Sequence, residues 1–110
     1  MSTEPGSARA RRLAKNEAFF RETNELLERD AVGLGGTFDC ICECSVWGCV
    51  ERLDVTRAEY ERVRSHGDRF VVAPGHDDPT IETVVERHPA YLVVEKHGLA
   101  GAVARSTDPR

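Results

Sequence analysis

All four cysteines of this 110-residue chain lie within ten residues, in the run Cys40-Ile-Cys-Glu-Cys-Ser-Val-Trp-Gly-Cys49. Such a dense group of thiols is typical of a bound metal, a redox pair or a disulfide framework. No apolar run resembles a signal peptide or a membrane span, so we expect a cytoplasmic location, where structural disulfides are rare. The sequence therefore favours a metal site or redox chemistry.

The spacing of the thiols, C-x-C-x-C-x4-C, limits which of them can share one ion. A tetrahedral zinc site holds its sulfur ligands only about 3.8 Å apart. The segment before Cys42 alternates as a strand, and an extended chain separates the Cα atoms of Cys40 and Cys44 by roughly 13 Å. Turn-forming residues come only after Cys42. The sequence therefore favours Cys42, Cys44 and Cys49 as zinc ligands and predicts that Cys40 is a small buried apolar residue.

A tetrahedral zinc site needs a fourth ligand, and the histidines are the natural candidates. His76 follows an apolar strand and the turn residues Pro74 and Gly75, which could present its imidazole to a neighbouring loop. Cys40 is the alternative fourth ligand. The other histidines are expected at a helix end, in a turn and at a strand end, at His66, His88 and His97. Four protein ligands would close the coordination sphere, which is typical of a structural zinc site.

Four segments of the chain carry a resemblance to known proteins: residues 16–24, the C-E-C-x4-C knuckle, residues 58–61, and the R-F-V-V-A-P-G-H run over residues 69–76. From about Lys15 to Arg110 the chain resembles a family of small uncharacterised zinc-knuckle proteins from high-GC Gram-positive bacteria. The resemblance implies a Zn²⁺ site made by Cys42, Cys44, Cys49 and His76, and it implies no activity. Cys40 and Trp47 depart from the family's pattern, which more often has an aliphatic residue at the first position and a polar residue at the second.

Residues 8–30 have the periodicity of an amphipathic helix. Its apolar stripe is formed at seven-residue intervals and widened by flanking positions, at Leu13, Phe20, Leu27, Phe19, Thr23 and Leu26. The i,i+4 pairs Glu17–Arg21 and Glu25–Arg29 are expected on its surface. The stripe is expected to dock on the sheet. Alternatively, the Phe19 and Leu26 face binds a protein partner, since glycines at positions 33, 35 and 36 separate the helix from the rest.

The remaining segments predict an α+β fold, a small antiparallel sheet with the N-terminal amphipathic helix and a second short helix, stapled by the metal site. A capping box at Thr56 and Glu59 opens the second helix, which buries Tyr60 and Val63. The domain is expected over residues 13–104, with flexible tails at 1–12 and 105–110. The predicted strands cover residues 37–42, 50–55, 70–73, 81–87 and 91–96, and a short closing element follows at 98–104.

The formal net charge of −4 argues against binding to nucleic acid, which would have to rely on one cluster, Arg9, Arg11, Arg12 and Lys15, with Trp47 as a stacking residue. No constellation of catalytic residues accompanies the cysteines, so we predict a non-enzymatic zinc module that binds a protein partner. The alternative is a redox switch in which oxidation of the zinc thiolates, with Cys40 as an extra thiol, releases the metal. An iron–sulfur site would need all four cysteines. A zinc enzyme would need His76 not to be a ligand.

Overall fold

The computed structural model describes residues 6–30, 37–44, 46 and 49–110. Over these residues the predicted α+β class is confirmed, and the short closing element predicted after the last strand is a third helix. None of the described helices combines the length and apolarity needed to cross a membrane. The elements are α1 (Gly6–Asp30), β1 (Thr37–Ile41), β2 (Arg52–Thr56), α2 (Arg57–Arg64), β3 (Arg69–Val72), β4 (Glu82–Arg87), β5 (Leu92–Lys96) and α3 (Gly98–Ser106).

The strands divide into two antiparallel sheets, where the sequence predicted one. β1 pairs with β2 so that Cys40 lies opposite Leu53, while β5 lies between β3 and β4 in the second sheet. The two sheets meet just beyond β1, where the backbone N–H of Glu43 donates to the carbonyl of Val71 at 2.8 Å. This junction is also where the cysteine run leaves the first sheet.

Helix α2 forms as the sequence predicts. The hydroxyl of Thr56 accepts from the N–H of Glu59 at 3.0 Å, and the Glu59 carboxylate accepts from the N–H of Thr56 at 2.9 Å, which completes the capping box. Tyr60 and Val63 are buried, and the ring of Phe38 packs edge-on against Tyr60 with 5.3 Å between centroids. The helix thereby covers the core between the two sheets.

Helix α1 docks through the predicted face only in part. Phe20 is buried and Leu27 packs against the core as expected, but Phe19 and Leu26 are 54% and 56% exposed. The other buried residues of the docked face are polar: Glu17, Arg21, Asn24 and Glu28. The predicted face is therefore correct at Phe20 and Leu27 and wrong at the flanking positions Phe19 and Leu26, where polar residues on the other side of Phe20 are buried instead.

The buried face of α1 is matched by charges and carbonyls from the second half of the chain. Lys96 pairs with both Glu17 and Glu82, and all three side chains are inaccessible to solvent. The Arg21 guanidinium donates to the carbonyls of Gly67 and Ala104 at 2.5 and 2.7 Å. The predicted surface pair Glu17–Arg21 is therefore wrong, because each side chain finds a partner outside the helix.

A second polar cluster joins α1 to α2 and the C-terminal segment. The buried Arg64 donates to Glu25 at 2.5 Å and also pairs with Asp108. Arg110, in the segment predicted as a flexible tail, pairs with Glu25 at 3.0 Å and with Glu61 at 2.5 Å. Glu25 thus pairs outside α1, and the predicted Glu25–Arg29 pair is wrong. The domain bounds remain a prediction. The glycines at 33, 35 and 36 lie outside the described residues.

Candidate metal centre

The site is assembled from two loops that the sheets bring face to face. Cys42 and Cys44 follow β1, and Cys49 precedes β2 on the other side of the same turn. His76 comes from the turn after β3. That turn is closed by the N–H of His76, which donates to the carbonyl of Ala73 at 2.9 Å. It contains Gly75 at φ +85°, a backbone conformation that glycine adopts without strain.

The structure brings together the four residues predicted as zinc ligands. One ligand atom from each of Cys42, Cys44, Cys49 and His76 lies within 4.8 Å of every other. His76 Nδ1 lies 3.6 Å from the sulfur of Cys42 and 3.7 Å from that of Cys49. Tetrahedral zinc with ordinary Zn–N and Zn–S bonds places nitrogen and sulfur about 3.6 Å apart. The four residues therefore lie at metal-binding distance, in an arrangement that fits a tetrahedral ion.

The other candidates lie elsewhere. Cys40 is fully buried, as predicted for a small apolar residue, and it does not belong to the group of four. His88 stacks on Tyr91, with 4.4 Å between ring centroids, and its Nε2 lies 2.8 Å from Glu86. Ser45 and Trp47, inside the cysteine loop, lie outside the described residues.

Each of the three sulfurs receives a backbone hydrogen bond. The N–H of Ala73 donates to Cys42 at 3.1 Å. The N–H of Val46 donates to Cys44, and the N–H of Glu51 donates to Cys49. Such bonds favour the thiolate over the thiol, and they orient the sulfur toward a shared centre. The backbone around the loop is therefore arranged for charged sulfur.

The three thiols differ in their pKa values, and therefore in how readily each one becomes a thiolate. A hydrogen bond from Cys42 lowers the pKa of Cys44 to about 5, and the same bond, with burial, raises the pKa of Cys42. Burial also raises the pKa of Cys49. A metal ion needs all three as thiolates, so binding displaces protons from this group.

Glu43 lies between the first two ligands in the sequence and is fully buried. Its carboxylate accepts from Asn24 Nδ2 at 2.8 Å, from the Tyr60 hydroxyl at 2.9 Å and from the N–H of Val71 at 3.0 Å. Burial raises the pKa of Glu43, and these three donors oppose that rise. The sequence does not single out Glu43, although a carboxylate between two ligand cysteines is the signal that could have found it. It ties the cysteine loop to α1, α2 and β3.

An open cleft of about 450 Å³ lies beside His76. The other imidazole nitrogen of His76, Nε2, lies 3.6 Å from the carboxylate of the exposed Glu51. One side of the four-residue group is therefore reachable from solvent. The cleft is lined by Val46, Gly75, His76, Asp77, Asp78 and Pro79.

Comparison of the chain with protein families, with curated proteins and with solved structures finds no match in any of the three. The resemblance to small zinc-knuckle proteins stays a prediction from the sequence. What is known of the site therefore rests on its own geometry and chemistry.

Proposed function

We propose that the protein is a non-enzymatic zinc-binding module with a closed structural site. The observation that carries the proposal is the convergence of Cys42, Cys44, Cys49 and His76 within 4.8 Å, with a backbone donor on each sulfur. Three thiolates and one imidazole suit Zn²⁺, a borderline-soft ion that prefers tetrahedral coordination.

A structural role follows from the number of ligands. Four protein ligands fill a tetrahedral ion and leave no position for water or substrate, whereas catalytic zinc keeps one open. The site joins the end of β1, the start of β2 and the turn after β3. A domain of this size has a thin margin of stability from burial alone, so an ion that links these segments would stabilise the fold.

The module also offers a face for a protein partner. Phe19 and Leu26 lie one heptad apart on α1 and are both more than half exposed, because the helix docks through the face that carries Phe20 and the buried polar residues. Apolar side chains at this spacing are typical of a helix that binds in a partner's groove. We therefore keep this face as the proposed partner surface of a cytoplasmic regulatory or interaction module.

Metal analysis of the purified native protein tests the zinc site. We expect one zinc per chain, lost or much weakened in His76→Ala and retained in His88→Ala. The second variant is the matched control, since His88 stacks on Tyr91 away from the cysteines. Chelation should also lower the melting temperature of the native protein. Iron with visible absorbance, or zinc content indifferent to His76→Ala, would contradict the proposal.

A further inference from the structure

The sulfurs of the proposed zinc site differ sharply in their exposure. Cys42 and Cys44 are fully buried, whereas Cys49 is partly exposed. The apolar residues near Cys49 are turned outward, with Val46 59% and Val50 70% exposed. His76, the nitrogen ligand, has a side chain that is 33% exposed. A solute therefore meets the site from the side of Cys49 and His76.

The backbone hydrogen bonds also differ between the buried ligand Cys42 and the partly exposed ligand Cys49. Cys42 is fixed between the two sheets, because its N–H donates to the carbonyl of Glu51 at 2.8 Å and its sulfur accepts from Ala73. Cys49 is held locally, by its N–H donating to the carbonyl of Val46 at 3.1 Å within the same loop. Displacement of the Cys49 sulfur would leave the strand pairing of both sheets intact.

We propose that Cys49 is the thiolate at which a hydroperoxide oxidises the zinc-loaded site, with one of the two buried thiolates completing the reaction. This inference rests on the proposed zinc site and adds its regulation. The cleft, which is lined by Val46, His76 and Pro79, admits a solute of that size as far as His76, and His76 Nδ1 lies 3.7 Å from the Cys49 sulfur.

The chemistry needs only the peroxide as oxidant. The Cys49 sulfur attacks one peroxide oxygen, the O–O bond breaks, and the departing hydroxide takes a proton to leave as water. Cys49 is then a sulfenic acid, oxidised by two electrons. Cys42 or Cys44, each within 4.8 Å, attacks the Cys49 sulfur, and a second hydroxide leaves as water when it is protonated. Two thiolates, one hydrogen peroxide and two protons from solvent thus give one disulfide and two waters, and only two ligands remain for the ion.

The test follows metal and thiols together in the native, zinc-loaded protein. Hydrogen peroxide is added at neutral pH, released zinc is read with a colorimetric chelator, and each cysteine is followed by alkylation and mass spectrometry. We expect Cys49 to be modified first, one zinc to be released per chain, and a thiol reductant to restore binding. Retained zinc, or loss of Cys42 or Cys44 reactivity before that of Cys49, would overturn the proposal. Protein isolated without zinc would instead refute the proposed function itself.

Two charge variants test whether Cys49 is the exposed thiol. Val50→Glu adds a charge beside Cys49, and Val85→Glu adds the same charge at an exposed position on β4. With a dianionic aromatic disulfide as thiol reagent, the first variant should slow modification of Cys49 roughly two- to fourfold at low salt, because like charges repel over this range. The second should leave the rate unchanged. Equal rates in both would overturn the assignment of Cys49 as the exposed thiol.

Cys40→Ser tests whether the thiol outside the group of four takes part in the oxidation. Cys40 is buried outside the group of four, so this variant should release zinc at the native rate and form the same disulfide. Slower disulfide formation would show that Cys40 is the resolving thiol and would overturn the role given to the buried ligands.

Discussion

Replacement of Lys96 by methionine should strongly destabilise the protein, because it leaves two buried carboxylates without their cation. Lys96 pairs with Glu17 and Glu82, and the side chains of all three are inaccessible to solvent. The ammonium also lies over the ring of Phe70, 5.1 Å from its centroid. Methionine fills a similar volume and keeps the apolar contact, so the change removes mainly the charge.

The magnitude follows from the proton that the variant has to bind. Neutralising a carboxylate of ordinary pKa 4.5 at pH 8 costs about 5 kcal/mol, at about 1.4 kcal/mol per pH unit. Keeping an unpaired charge buried costs about 3–5 kcal/mol. For the cluster to carry the same net charge, the variant must bind one proton more than the wild type. The loss of unfolding free energy in the variant should therefore shrink by up to about 1.4 kcal/mol for each unit by which the pH falls, to about 1–2 kcal/mol near pH 5.5.

The wild type has a pH dependence of its own at this cluster. Burial raises the pKa of Glu17 to about 7, partly opposed by Lys96, against an ordinary value of 4.5. Stability from this carboxyl is full below about pH 4.5 and is lost as the pH rises through about 7. Acidification therefore favours this cluster in both proteins while it weakens zinc binding in both, and the quantity that tests the charge cluster is the difference between them.

Urea unfolding of the zinc-loaded proteins at pH 8 and at pH 5.5 measures that difference. Lys15→Met is the matched control, since Lys15 is exposed on α1 and its replacement should change the free energy of unfolding by less than about 0.5 kcal/mol. A Lys96→Met deficit below about 1 kcal/mol at pH 8, or one that does not change with pH, would refute the account of this buried cluster.

Two further predictions concern the site and the helix. Glu43→Gln should destabilise the zinc-loaded protein by about 1.5–3 kcal/mol in chemical denaturation, because an amide cannot accept hydrogen bonds from all three donors. Glu51→Gln, at an exposed position, is the control, and equal stability of the two variants would be inconsistent with this role. Phe19→Ala and Leu26→Ala should each shift the free energy of unfolding by less than about 1 kcal/mol, since both side chains are over half exposed, yet should weaken capture of a partner; a large loss of stability would show that the face belongs to the core.

The parts of the structure that were predictable from the sequence are those set by local chemistry. The capping box fixes the start of α2, because Thr56 and Glu59 satisfy each other's backbone groups within one turn. The spacing of the cysteines sets aside Cys40, and the Pro74-Gly75 turn is what presents His76. Each of these signals is carried by residues close together in the chain.

The docking of α1 could not be predicted in the same way. Its hydrophobic pattern places Phe20 and Leu27 correctly on the docked face, but it also favours burial of Phe19 and Leu26. Partners distant in the chain bury Glu17 and Arg21 instead. A buried charge is favourable only when a counter-charge or a carbonyl group contacts it in the folded protein, and no local sequence pattern indicates such a contact. Glu43 does carry a local signal, its position between two ligand cysteines, but its three donors come from other elements, so the sequence does not show that its buried charge is satisfied.

The order in which the chain is synthesised separates the buried charges of α1 from their partners in the second half of the chain. Arg21 lies 46 residues before Gly67 and 83 before Ala104, and Glu17 lies 79 before Lys96. At ordinary rates of translation the finished helix waits roughly 3 to 13 s for Lys96 to be made. Throughout that interval water solvates the charged residues of its docking face, Glu17 and Arg21. The nascent helix therefore offers neighbouring chains less apolar surface than a wholly apolar docking face would, because these charges lie beside Phe20 and Leu27.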